Sequence, residues 1–212
     1  MEDMATIVPT VTAENAHIYR EQIERVEAFA ERIHIDLMDG KFTPNTSLPA
    51  ESVWWPEATE IDVHVMFQNP EEVLDVLIDL RPSLIIVPAE CSADLRGIAH
   101  KLEEVGIRAG LALLPEITVE SVETLLADFQ HVLIFSGNLG HQGGSYADLS
   151  LLEKAGQAKA VNPDIEIGWD GGVNESNAEK LVSGGVEVLN AGGFIQKSPT
   201  PEAAYRQLVD QI

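Results

Sequence analysis

Two short stretches of this chain set metal-ligating side chains on a common face. One is Ile33-His34-Ile35-Asp36-Leu37-Met38-Asp39-Gly40; the other is Ile61-Asp62-Val63-His64-Val65-Met66. Both read as buried strands from their alternating or continuous apolar character. Residues two apart on a strand point the same way, so His34, Asp36 and Met38 project together, and His64 and Met66 repeat the pattern. Imidazole and carboxylate are the groups a divalent cation takes from protein. An ionisable residue beside a Met at the carboxyl end of a strand, occurring twice, points to one shared pocket in which a single ion could sit.

Such a pocket needs strands that end together. Apolar runs predict strands at Thr6–Thr10, Arg32–Met38, Ile61–Phe67, Ser83–Ala89, Arg108–Leu114, His131–Gly137, Glu166–Asp170 and Val186–Ala191. Helical spacing falls between most of them: Ala13–Phe29 aligns Ile18, Ile23, Val26 and Phe29, and Pro70–Leu80 aligns Val73, Leu74, Leu77 and Ile78. Asp94–Val105, Thr118–Phe129, Asp148–Ala160, Asn174–Ser183 and Thr200–Val209 follow suit, with Ser92, Thr118 and Asn174 as capping residues and Gly106 and Gly184 as stops. Pro44–Glu60, with Trp54 and Trp55, is the irregular unit.

Strands alternating with helices imply a parallel sheet. Eight such units closing on themselves make a (β/α)8 TIM barrel, and the whole chain, 1–212, reads as one lean barrel domain. An open doubly wound sheet usually carries its phosphate glycines after the first strand, where Val8-Pro9-Thr10-Val11 has none. Glycines cluster instead in Gly137–Gly144, Asp170-Gly171-Gly172-Val173-Asn174 and Ala191-Gly192-Gly193-Phe194, after the last three strands, where barrels place their phosphate site. Glycine lets backbone N–H groups approach an anion closely. Lys197 is the nearest cationic side chain, so backbone amides and helix N-termini would have to supply most of the positive potential.

Composition narrows the partners. Thirty-five acids against thirteen bases give a net charge of −22, which repels nucleic acid and anionic lipid. No apolar run reaches the roughly 18 residues of a membrane helix, and the acidic start Met1-Glu2-Asp3-Met4 does not read as a secretory signal. The single cysteine, Cys91, excludes an internal disulfide and fits a reducing cytoplasm. His17, His100 and His131 read as surface or structural residues, while His141 lies in a glycine loop where it could touch a ligand.

His34-Ile35-Asp36-Leu37-Met38-Asp39-Gly40, Asp62-Val63-His64-Val65-Met66 and Asp170-Gly171-Gly172-Val173-Asn174 resemble the signature segments of the ribulose-phosphate 3-epimerase family. Val8-Pro9-Thr10 is similar to that family's first strand, and Asn190-Ala191-Gly192-Gly193-Phe194-Ile195 to its last phosphate loop. The resemblance implies a barrel of the ribulose-phosphate-binding type and an enzyme of the pentose phosphate pathway that interconverts D-ribulose 5-phosphate and D-xylulose 5-phosphate. It implies one divalent metal, zinc or iron(II) first and manganese or cobalt as alternatives, on His34, Asp36, His64 and Asp170. Asp36 and Asp170 are then also the acid/base pair. Substrate would meet Thr10, Met38, Met66, Gly140, Gly143, Gly144, Gly171, Gly172, Gly192 and Gly193. The chemistry fits those residue types: inversion at C3 needs a proton removed from one face and another delivered to the other. A Lewis acid on the C2 oxygen would stabilise the enediolate, and the methionines would exclude water. Members of the family are often oligomeric, although no interface patch is readable in this chain.

Four departures bear on the substrate. Thr10 stands where Ser is usual, Pro88 where a His is usual, Phe135 where a third Met is common, and Asn138–Gly144 replaces Asn-Pro-Gly-Phe-Gly-Gly-Gln. They keep open a C3 epimerase of a hexulose 6-phosphate, and a non-catalytic phosphosugar-binding barrel. A related class that decarboxylates or condenses sugar phosphates carries Asp-x-Lys-x-x-Asp, and Asp36-Leu37-Met38-Asp39 lacks its lysine.

Overall fold

The computed structural model describes residues 5–212, so the Met1–Met4 segment lies outside the described residues. Strands β1 (Thr6–Thr12), β2 (Arg32–Met38), β3 (Glu60–Met66), β4 (Leu84–Pro88), β5 (Arg108–Leu113), β6 (His131–Phe135), β7 (Glu166–Asp170) and β8 (Val188–Ala191) are all parallel and close in sequence order into a barrel. The helices are α1 (Ala16–Glu24), α2 (Glu71–Leu80), α3 (Leu95–Glu104), α4 (Val119–Val122), α5 (Glu153–Val161), α6 (Ala178–Ser183), α7 (Gly193–Gln196) and α8 (Pro201–Val209). This is the (β/α)8 barrel the alternation implies.

Most of the apolar core lies between sheet and helices, where Ile33, Ile35 and Leu37 of β2 point outward beside Ile61, Val63 and Val65 of β3. A small separate cluster, Leu84, Ile86, Ala112 and Leu133, plugs the lumen on the β4–β6 side. The rest of the lumen is polar, and it is polar at two levels. At the amino-terminal ends, Arg32 donates from Nε to Asp62 (2.8 Å) and from both Nη atoms to Glu166 (3.0 Å each). Arg108 and His131 Nδ1 close on the same Glu166 Oε2 at 2.6 and 2.7 Å. His131 is therefore the structural residue expected, fully buried in the barrel floor. The second level is the mouth.

Several helices are shorter than their apolar spacing predicts. Thr118–Phe129 yields only α4 and a 3-10 turn at Glu123–Leu125. Arg96 takes the Thr124 carbonyl at 2.7 Å and Asn162 takes that of Leu126 at 2.9 Å, so donors from elsewhere hold carbonyls a longer helix would use. The Ala13–Phe29 segment is regular only over Ala16–Glu24, capped by Asn15, and continues as turns that still bury Val26. Asp94, not Ser92, caps α3, and Asn174 opens a turn that precedes α6 rather than the helix itself. Pro44–Glu60 holds only a 3-10 turn at Ala50–Ser52, in keeping with its irregular sequence.

Candidate active site

Register brings the two opening motifs together. Asp36 pairs with His64 and Met38 with Met66 across β2 and β3, so their inward side chains lie side by side at the carboxyl ends. Asp170 ends β7, three strand positions round the ring from β2, and completes the group. One ligand atom from each of His34, Asp36, His64 and Asp170 lies within 4.8 Å of the others.

The electrostatics divide the two carboxylates. Burial by itself would raise Asp36, but His34 Nε2 at 3.2 Å, His64 Nδ1 at 3.3 Å and their charges hold it well below the usual carboxylate range. Burial pushes Asp170 up to about 7, the Asp36 charge adds to this, and His34 opposes it. The imidazoles divide too. Burial works against charge on both; Asp36, Asp170 and Asp62 outweigh it at His34, which is raised, whereas His64 stays lowered.

The donor set fits a divalent cation. Bonds of 2.0–2.1 Å in tetrahedral array put neighbouring ligand atoms about 3.3 Å apart. The two imidazole nitrogens stand 3.2 and 3.3 Å from one Asp36 oxygen. The His64 approach lacks hydrogen-bond geometry, so its Nδ1 is buried with no partner among the described residues. Two imidazoles crowded on one carboxylate oxygen, with a second carboxylate alongside, make a set of ligands converging on a point. Such a point favours positive charge.

Above the cluster lies a cavity of about 250 Å³. Asp36 and Asp170 line it, with Thr10, Met38 and Met66. Its far wall is glycine: Gly140, Gly143 and Gly144 from the loop after β6, Gly171 and Gly172 after β7, and Gly192 and Gly193 after β8. Two of these are dictated by close approach. A Cβ on Gly171 would lie 2.2 Å from the Gly137 amide nitrogen, and one on Gly193 would lie 2.7 Å from the Gly143 Cα. Lys197 is the one Lys or Arg lining the cavity among the described residues, and its Nζ donates to the Gln142 carbonyl at 3.2 Å. His141 lines it as well, 3.3 Å from Asn45. Of the departures, Phe135, Thr10 and the Asn138–Gly144 loop border the cavity, but Pro88 does not.

Two residues were overlooked in the sequence. Thr12 donates from Oγ1 to Asp36 Oδ2 at 2.7 Å and fixes that carboxylate. It was missed because β1 runs two residues past Thr10; the Thr10–Thr12 alternation was the available signal. Gln142 reaches from the glycine loop to the Thr10 carbonyl at 3.0 Å and ties that loop to β1.

A closed parallel barrel with two histidines and two aspartates gathered beneath a glycine-walled cavity defines a class: barrels whose mouth could hold a divalent cation beside a ligand cavity. Within that class the chain belongs to the ribulose-phosphate 3 epimerase family, whose model matches residues 6–196. Ribulose-phosphate 3-epimerase from Helicobacter pylori (strain ATCC 700392 / 26695) is 32% identical over 93% of this chain and 93% of that protein. The chloroplastic ribulose-5-phosphate-3-epimerase of Arabidopsis thaliana is 31% identical over 89% of this chain and 70% of its own length. Among solved structures, a 3-hexulose-6-phosphate synthase superposes with a TM-score of 0.76 over 99% of this chain and 100% of that one; at 16% identity the likeness is one of fold.

Proposed function

We propose that this protein is a metal-dependent epimerase, one barrel domain, that interconverts D-ribulose 5-phosphate and D-xylulose 5-phosphate at C3. The observation that carries the reading is the gathering of Asp36 and Asp170 with His34 and His64 in one cluster, the two carboxylates coming from different sides of the barrel. Epimerisation needs that pair, a base ready to take a proton and an acid ready to give one to the opposite face.

His34, Asp36, His64 and Asp170 would hold the cation, with zinc or iron(II) the first choices for an imidazole–carboxylate set. When bound, the cation supplies Lewis-acid stabilisation of negative charge on the sugar oxygens. Thr12 fixes the orientation of Asp36 through its 2.7 Å hydrogen bond. Asp36 takes the C3 proton from one face, Asp170 delivers one to the other, and the reverse reaction exchanges their roles. Met38 and Met66 cover the planar intermediate and keep water from it. The glycine amides and Lys197 take the phosphate, which orients C3 between the carboxylates. In a chain of −22 charge, that local concentration of donors is what lets an anion settle. The pentose phosphate pathway and the cytoplasm are the setting this activity fits.

The test is solvent exchange. In deuterated water the protein as purified, with its metal content measured, should place deuterium at C3 of D-ribulose 5-phosphate and form D-xylulose 5-phosphate. Tight binding of the sugar phosphate without exchange would favour the non-catalytic barrel. A kcat/KM higher on a hexulose 6-phosphate would move the substrate, not the reaction.

A further inference from the structure

The cavity floor carries a polar side chain that the proposed mechanism does not use. Asn190 of β8 is 2% exposed, and neither its amide nitrogen nor its amide oxygen has a hydrogen-bond partner among the described residues. It lines the cavity all the same. Two of its neighbours offer it nothing. Val188 precedes it on the same inward face, and Val8 is its register partner on β1; both are buried and neither can hydrogen-bond through its side chain. The Thr10 hydroxyl, one pleat further along β1, is likewise buried and unpartnered, although the Thr10 carbonyl is taken by Gln142 and Gln196.

A buried amide with both ends unpaired bears the full desolvation penalty of its polar atoms with nothing to offset it. A valine or leucine would fill the same inward position without that cost. Such a group is satisfied when a ligand brings an oxygen that both donates and accepts, which is what a hydroxyl does. Position then selects which hydroxyl. Asn190 is the register partner of Asp170 on one side and stands two residues before Gly192, the first residue beyond β8. It therefore lies between the carboxylate assigned to C3 and the glycines assigned to the phosphate.

From this placement we infer that Asn190 is a substrate-binding residue that takes the C4 hydroxyl of the ketose phosphate, with the Thr10 hydroxyl beside it. The inference rests on the epimerase reading above and deepens it. Phosphate and metal ligands grip the two ends of the reacting segment; Asn190 reads the carbon between them. It makes the site selective for a sugar over a phosphorylated ketone of the same length, because an analogue lacking the hydroxyl leaves the amide buried and unpaired.

The test compares D-ribulose 5-phosphate with its 4-deoxy analogue on wild type and on Asn190→Val, with Asn190→Ala as a second variant should valine not fit. The readouts are kcat/KM and calorimetric binding of D-ribitol 5-phosphate. Wild type should favour the hydroxylated substrate by roughly 100-fold or more. In the variant that ratio should fall toward one, and the ribitol 5-phosphate Kd should rise about 10- to 100-fold. Equal losses on both substrates would make Asn190 a structural residue and overturn the assignment, as would a ratio that persists in the variant. So would a 1-deoxy analogue that loses discrimination where the 4-deoxy one does not. Absence of C3 exchange by wild type would instead bring down the epimerase reading, and this inference with it; exchange without a change in the ratio removes Asn190 alone.

Discussion

The barrel lumen holds buried or half-buried carboxylates at both ends, and the two ends treat them differently. On the floor, Asp62 and Glu166 meet the guanidinium groups of Arg32 and Arg108, with His131 added to Glu166. At the mouth, Asp36 meets two imidazoles and the Thr12 hydroxyl, Asp170 lies in the same cluster, and no Lys or Arg is among their hydrogen-bond partners in the described residues. The contrast separates structure from chemistry. A buried carboxylate with its own guanidinium is electrically complete, and its pKa is driven down, as at Glu166, where His131 and Arg32 outweigh burial. A carboxylate pair without a fixed cation is incomplete: one member is pushed up to about 7, and the cluster can accept a cation or hold a proton for transfer.

The sharpest way to break this comparison is to strip the metal. A chelator should remove essentially all activity and leave the fold in place, since the floor keeps its own cations. Adding back zinc, iron(II), cobalt or manganese should restore turnover and raise Tm, because a ligand that binds only the native state stabilises it. Activity that survives metal removal would end the distinction.

Asp170→Asn removes both a proton carrier and a ligand, and should cut kcat by about 10³-fold or more while far-UV circular dichroism is unchanged. Near-normal turnover would show that Asp170 is not the acid.

Glu166→Gln should do the reverse. It strands Arg32 and Arg108 in the floor and should destabilise by about 3 kcal/mol, a fall in Tm of roughly 6–12 °C. Turnover per folded molecule should stay within a few-fold. A large loss of kcat with unchanged Tm would place the floor in the mechanism.

The smallest effect is a difference in sign. Asp170 keeps in the native state a proton that the unfolded chain releases near pH 4, so metal-free wild type should lose stability relative to Asp170→Asn as pH rises from about 4 to about 7. Glu166 is depressed, so its contribution relative to Glu166→Gln is present above about pH 4.3 and is lost as pH falls into the acid range. Denaturant melts across that range would show parallel slopes if the two ends of the barrel were equivalent.

Much of the site was legible along the chain because strand alternation is local. The spacing of His34, Asp36 and Met38, and of His64 and Met66, fixes which side chains share a face whatever the strands pack against. Helix length was not legible in the same way. Thr118–Phe129 has helical spacing, yet Arg96 and Asn162 from other segments claim its carbonyls. Thr12 was hidden by a strand end that apolar patterning could not place, and Asn190 by sitting in a stretch that read as phosphate loop.

By itself, then, the sequence determined the alternation of strand and helix, the inward face of each early strand, and the presence of glycine after the last three strands, all consequences of periodicity and of backbone sterics. Only the tertiary structure decided which carboxylates own a cation. Arg32 sits two residues before His34 on one inward face, yet closure of the barrel takes its guanidinium down to Asp62 of β3 and Glu166 of β7 and away from Asp36. Charge partners across a barrel are set by how the ring closes, a long-range fact that no local spacing contains.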